Sequence, residues 1–227
     1  MSKATPEEMR SVQIEMESAR LEGDLVIPPD AGGLVLFAHG SGSSRHSPRN
    51  RFVASQLQER GLATLLFDLL TPEEDEEDRV TRRQRFDIEL LGERLVGATD
   101  WVLQQPELKG LNLGYFGSST GAAAALVAAA ERPDTAGAVV SRGGRPDLAA
   151  QALPVVKCPT LLIVGGRDLT VLQLNRQALD EMHTEHKRLS VVPDATHLFE
   201  EPGALEKVGE MAGEWFVKHL KPSGSST

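Results

Sequence analysis

Residues 11–17 alternate polar and apolar, with Val12, Ile14 and Met16 on one side, the period of a half-buried β-strand. Residues 19–27 continue as a second strand that stops at Pro28-Pro29. Beyond that point the pattern changes. Leu34–Ala38 and Ala63–Leu70 are continuous apolar runs, as expected of strands covered on both faces. Leu111–Phe116, Ala138–Ser141, Thr160–Val164 and Arg188–Val192 also read as strands. Helical spacing lies between them. Phe52–Arg60 carries Val53 and Leu57 and ends at Gly61, and Arg82–Gln104 aligns Phe86, Leu90, Leu91, Leu95, Val96 and Leu103. Ala122–Ala130 is an alanine-rich helix, and Pro146–Val156 holds a short one. Val171–Met182 and Ala204–Leu220, with Trp215 and Phe216, complete the set. The acidic stretch Thr71–Asp78 follows a strand's carboxyl end, where it could overhang the mouth of a site and repel anions, but the favoured reading is a flexible, solvated loop.

Two antiparallel-looking strands followed by strand–helix alternation predict an α/β fold, with a mostly parallel central sheet and helices on both faces. One domain is expected over residues 11–220, between a flexible N-terminus (1–10) and a disordered tail (221–227).

Composition narrows the function. The 227 residues are 40% hydrophobic but only 4% aromatic, so Leu, Val and Ala must fill the core. A net charge of −9 leaves no basic footprint for nucleic acid. A single cysteine, Cys158, excludes an internal disulfide and is expected to be structural. No Cys/His cluster has zinc-ligand spacing, so no metal is expected. The first ten residues hold no apolar run of signal-peptide type, and no stretch is long and apolar enough to span a membrane. A cytoplasmic protein without a membrane or nucleic-acid partner is expected, as a monomer or homodimer.

The chemistry is concentrated in Gly117-Ser118-Ser119-Thr120-Gly121, which sits between a strand and a helix. In that context Gly-x-Ser-x-Gly marks a nucleophile elbow, a sharp turn that presents a serine at a helix N-terminus. Ser119 has glycines two residues away on either side, whereas Ser118 would have Phe116 and Thr120 there, so Ser119 is the expected nucleophile. A serine hydroxyl needs a base, and the base a carboxylate to orient it. Asp168 follows the Thr160–Val164 strand after Gly165-Gly166, and His197 lies on the loop before the last helix. They follow the serine in the order expected of partners converging at the carboxyl edge of a sheet. Asp194 looks like a turn residue. His183 and His186 look solvated, and His219 lies where a cation would favour the helix dipole. The glycine-rich loop after Ala38 places backbone N–H groups at another strand end, so Ser41 and Thr120 are the expected oxyanion donors.

These residues together resemble the α/β-hydrolase superfamily, and within it the small, cap-less dienelactone hydrolase family. The resemblance covers roughly residues 20–220. It rests on His39-Gly40-Ser41-Gly42, the elbow at Ser119, Gly165-Gly166-Arg167-Asp168 and Ala195-Thr196-His197. Phe37–Arg51 and Ser141–Pro146 also resemble bacterial hydrolases found beside or fused to phosphoribosyltransferase domains. Dienelactone hydrolases proper use cysteine as nucleophile, and this chain has serine. The resemblance implies an α/β-hydrolase fold without a separate cap domain.

The expected activity is hydrolysis of small carboxylic esters, lactones or thioesters, with Ser119, His197 and Asp168 as a triad and no cofactor. The same residues could transfer the acyl group to an alcohol or amine, and a binding module that keeps the fold is the non-catalytic alternative. His39, Gly40, Arg45 and Arg142 are candidate substrate-binding residues at the same edge, together with the nearby His46 and Arg49. Arg142 or Arg45 would pair with a substrate carboxylate, unless both are solvated surface arginines.

Overall fold

The computed structural model describes residues 9–220, so the tail 221–227 and most of the N-terminal segment 1–10 lie outside the described residues. In chain order the elements are β1 (Arg10–Glu15), β2 (Arg20–Val26), β3 (Leu34–Ala38), α1 (Pro48–Gln58), β4 (Ala63–Phe67) and α2 (Pro72–Thr81). They continue with α3 (Ile88–Leu103), β5 (Leu113–Ser118), α4 (Thr120–Glu131), β6 (Ala136–Arg142) and β7 (Thr160–Gly165). The last three are α5 (Leu169–Glu181), β8 (Lys187–Val192) and α6 (Ala204–Leu220).

The eight strands form one sheet in the order β1-β2-β4-β3-β5-β6-β7-β8. β1 and β2 pair antiparallel, and β2 pairs antiparallel with β4; every other pairing is parallel. Alternation along the buried strands splits the core in two. Leu34, Leu36, Leu113 and Tyr115 face one side, where Leu91 and Leu95 of α3 and Ala124 and Ala128 of α4 cover them. Val35, Phe37 and Phe116 face the other, beneath Val53 and Leu57 of α1 and Val208 and Phe216 of α6.

This topology places the site. From β3 the chain passes through α1 to β4 on one side of β3, then returns through α3 to β5 on the other. β3 and β5 are therefore adjacent strands whose following segments diverge to opposite faces. The crevice at their carboxyl ends is the natural ligand position in such a sheet.

Three local expectations change. The stretch 71–78 is not a loop but the start of α2, whose N-terminus carries a complete capping box. Thr71 Oγ1 accepts from Glu74 N–H at 3.2 Å, and Glu74 Oε2 accepts from Thr71 N–H at 2.8 Å. The expected helix over 82–104 is broken. Arg82 is left-handed with φ 55°, Gln84–Phe86 form a single 3₁₀ turn, and Asp87 caps α3 through Leu90 N–H at 3.1 Å. The break is held by buried Asp78, whose carboxylate accepts Arg85 N–H at 3.1 Å and Arg85 Nε at 2.5 Å. That pairing keeps the Asp78 carboxyl below its usual range, although burial alone would raise it. Phe86 and Leu103, assigned by periodicity to the apolar side, are both 56% exposed. Residues 146–156 form two 3₁₀ turns, Pro146–Ala149 and Leu153–Val155, instead of a helix, and no cap domain is inserted there. Cys158 is buried, and burial pushes its thiol up to about 11, which keeps it protonated.

Candidate active site

Ser119 occupies the turn between β5 and α4 with φ 52° and ψ −120°, a conformation that costs a non-glycine residue of order 1–3 kcal/mol. The surroundings hold it there. Its N–H donates to Arg142 O at 3.2 Å, and its carbonyl accepts from Ala122 N–H and Arg145 N–H, both at 3.1 Å. Close approach then makes two glycines necessary. A methyl on Gly121 would stand 2.5 Å from His39 O and nearer still to Ala38 O, and one on Gly117 would stand 2.6 Å from Gly121 O. The start of α4 can cross the end of β3 only without side chains at these points.

The same contact brings in the loop after β3. A methyl on Gly40 would stand 3.1 Å from both Ser119 Cβ and Ser118 O, so this loop lies directly against the serine. Ser41, which follows Gly40 in this loop, and Thr120, which follows the serine, carry the expected oxyanion donors. Neither donates to another described backbone carbonyl, and Thr120 N–H belongs to the free first turn of α4.

Asp168 and His197 meet at the next strand ends. Asp168 caps α5, and its Oδ2 lies 2.7 Å from His197 Nδ1. The loop carrying His197 is pinned to the end of β7 by Gly166 N–H to Val192 O at 2.8 Å and Arg167 N–H to Ala195 O at 2.9 Å. Gly143, one residue past β6, links this pair to the elbow. A methyl there would stand 3.5 Å from Cε1 and Nδ1 of the His197 ring. The His197 side chain is 40% exposed and that of Asp168 15%, so the pair opens to solvent at one edge. Asp194, the competing acid, is 82% exposed and contacts Arg167 instead.

The other candidates separate. His39 is buried: its Nδ1–H donates to Gly40 O at 3.0 Å, and its Nε2 accepts Leu69 N–H at 3.0 Å. Both nitrogens are used in joining the loop to the segment after β4, so His39 positions the loop and has none left for a substrate. Arg45 is committed to three carboxylates. It contacts Asp68, Glu22 at 2.6 Å and Asp24 at 3.7 Å, which removes it as a free anchor for a substrate acid. Arg142 is buried, at 7% exposure, and is not a solvated arginine. His219 packs on Trp215 with ring centroids 4.6 Å apart, and burial lowers its pKa instead of favouring a cation.

Sequence reasoning placed His39, Arg45 and the 71–78 segment at this edge but missed that a helix forms one wall. A cavity of about 300 Å³ lies beside the Ser41 loop, lined by His39, Arg45, Asp68, Leu70, Thr71 and Asp75. A narrower recess reaches from it toward Ser41, Leu91 and Thr120. Neither touches Ser119 or His197, whose position is set by backbone geometry, so the cavity is a side chamber to the serine. α2 forms its wall, and the Thr71-x-x-Glu74 spacing was the available signal for that helix.

His39 makes stability depend on pH. Burial lowers its pKa from the ordinary 6.5 by stripping water from the charged ring, outweighing the Gly40 carbonyl and the Asp68 and Asp75 charges that would raise it. The folded state then holds fewer protons than the unfolded chain just below pH 6.5. Stability is full above that pH and falls as the pH drops through the window. Urea unfolding from pH 8 to 5 is expected to show this loss, with a smaller slope in His39→Asn. His219, shifted the same way, contributes in the same direction. An unchanged slope in the variant would remove His39 as the cause.

Residues 31–212 match the family described as alpha/beta hydrolase domain. The crystal structure of a dienelactone hydrolase from Anabaena variabilis is 60% identical with a TM-score of 0.94, covering 96% of this chain and 100% of that one. A Pyrococcus furiosus esterase is 18% identical with a TM-score of 0.76, covering 97% and 96%, a likeness of fold alone. A Mycobacterium tuberculosis protein provisionally named a phosphoribosyl transferase is 55% identical over 215 residues. That match covers 95% of this chain and 47% of the relative, so the chain spans about half of that protein's length.

Proposed function

The chain belongs to the α/β-hydrolase family, and we propose that it is a serine hydrolase of small carboxylic esters, lactones or thioesters, working through an acyl-enzyme. The observation that carries this reading is the strained Ser119 at the N-terminus of α4, on the same sheet edge as the 2.7 Å Asp168–His197 pair. Ser119 Oγ bonds to the substrate carbonyl carbon while its proton passes to His197 Nε2. Asp168 fixes the proton on Nδ1 and stabilises the imidazolium that forms. The carbonyl oxygen, now negative, is met by the Ser41 and Thr120 N–H groups at the positive end of α4. Collapse breaks the bond to the leaving alcohol or thiol, which takes the proton from His197. Water then attacks the acyl-enzyme, gives its proton to His197, and the acid leaves as Ser119 recovers the proton.

The exposure of the His197 side chain favours water over a sequestered alcohol or amine as the second nucleophile. The phosphoribosyl transfer named for the mycobacterial relative does not carry over to this chain. The match is to part of that protein, and the aligned region of this chain is the hydrolase fold.

A fluorophosphonate, which phosphonylates activated serines, tests the reading. Mass spectrometry is expected to place one adduct on Ser119, with none in Ser119→Ala and parallel loss of p-nitrophenyl acetate hydrolysis. Hydrolysis that survives without an adduct at Ser119 would overturn it.

A further inference from the structure

Arg142 ends β6, and its carbonyl accepts the Ser119 N–H at 3.2 Å. Alternation along β6 sends its side chain to the Val140 face, on the side of α1 and α6. The residue is 7% exposed, and its Nε and Nη1 have no hydrogen-bond partner among the described residues. Burial, and after it the nearby charge of Arg49, together pull the guanidinium down to about 10, so it remains charged at neutral pH. Arg49, in the first turn of α1, also has an unpartnered buried Nε. Its Nη1 donates to Glu200 Oε1 at 3.1 Å, on a side chain 64% exposed. Of these two guanidinium groups only Arg49 holds a carboxylate, and that one loosely. A buried charge with unpaired donors is costly unless something pairs with it, and planar forks of this kind match oxyanions.

We propose that Arg142 and Arg49 form a binding site for a small oxyanion, a carboxylate or phosphate group, next to the Ser119 turn. Glu200 is the site's own competitor: an entering anion displaces it from Arg49 and takes the Arg142 donors that now have no partner. The positive end of α1 adds to the attraction. The anion is either the acid group of an ester substrate or a free anion, and both present the same oxygens to the same nitrogens.

Thermal unfolding in phosphate and in acetate, against chloride at matched ionic strength, tests the site without any turnover. Either anion is expected to raise the wild-type Tm by about 3 °C or more beyond chloride. Arg142→Met should fold, because it removes an unpaired buried charge, and should lose the anion-specific rise. Glu200→Gln, at an exposed position, should reach the same rise at several-fold lower anion concentration. No rise in the wild type overturns the proposal. So does an equal rise in Arg142→Met, which would be the general exclusion of such salts from protein surfaces.

The source is read from monomethyl and dimethyl succinate, an arm that rests on the hydrolase reading. A preference for the half-ester that falls about tenfold or more in Arg142→Met identifies the substrate's acid group. A Tm response with equal rates on both esters identifies a free anion. Loss of the hydrolase reading would show as no turnover of either ester, with the Tm response intact.

Discussion

Alanine at Ser119 is expected to lower kcat/KM for short-chain esters by about 10³-fold or more, while the protein stays folded. The size follows from the chemistry. Without Oγ no acyl-enzyme forms, and what remains is the polarisation of a bound carbonyl by the Ser41 and Thr120 amides. The fold should survive, because the elbow is held by backbone groups: Ser119 N–H on Arg142 O, and Ser119 O on Ala122 and Arg145. Relief of the strain that a side chain feels at φ 52° does not come with alanine, which keeps its Cβ. Stability close to wild type together with the rate loss would place the defect in chemistry. Comparable rates in both proteins would mean that hydrolysis arises elsewhere.

Alanine at Gly121 is expected to produce the largest loss of stability, about 3 kcal/mol or more, because its methyl would overlap the backbone oxygens of Ala38 and His39. Backbone cannot rotate aside as a side-chain tip can, so α4 must lift from the end of β3. The same movement separates Ser119 from the Ser41 loop, and activity should fall with stability. For a chain of this length the expected drop in Tm is roughly 6–12 °C. Gly61→Ala is the control. Gly61 has φ 74° but nothing within 4 Å of the added methyl, so only conformational strain of about 1 kcal/mol is expected. Gly121 is helical and carries no such φ, so equal losses at the two positions would mean that the crossing of α4 over β3 yields to the methyl without the expected cost.

Much of this site was legible along the chain because each part is encoded over a few residues. A strand, a glycine-flanked serine and a helix are contiguous, and the elbow needs all three in sequence. Asp168 and His197 each follow a strand, and parallel strands deliver their carboxyl ends to one edge, so order alone brought them together. The helix α2 was also encoded locally, by Thr71 and Glu74, but its charge density masked the capping box. Its end was not local: the chain turns at Arg82 because Asp78 is buried and holds Arg85, and burial is not written in a run of acids.

Arg45 and Arg142 divide what the sequence determines from what it leaves open. Read along the chain they are equivalent, each an arginine just past or at the end of an apolar strand. The sheet order places Arg45 beside Glu22 and Asp24 of β2 and Asp68 after β4, which neutralise it. The same order places Arg142 between β5 and β7, on the face that α1 and α6 cover, with Arg49 nearby and no paired acid among the described residues. The sequence by itself determined the eight strands, most of the helices between them and the strand–turn–helix around Ser119, since propensity and periodicity act over short spans. Only the tertiary structure decided which charges are paired, because Coulomb and desolvation energies depend on neighbours brought together from distant parts of the chain.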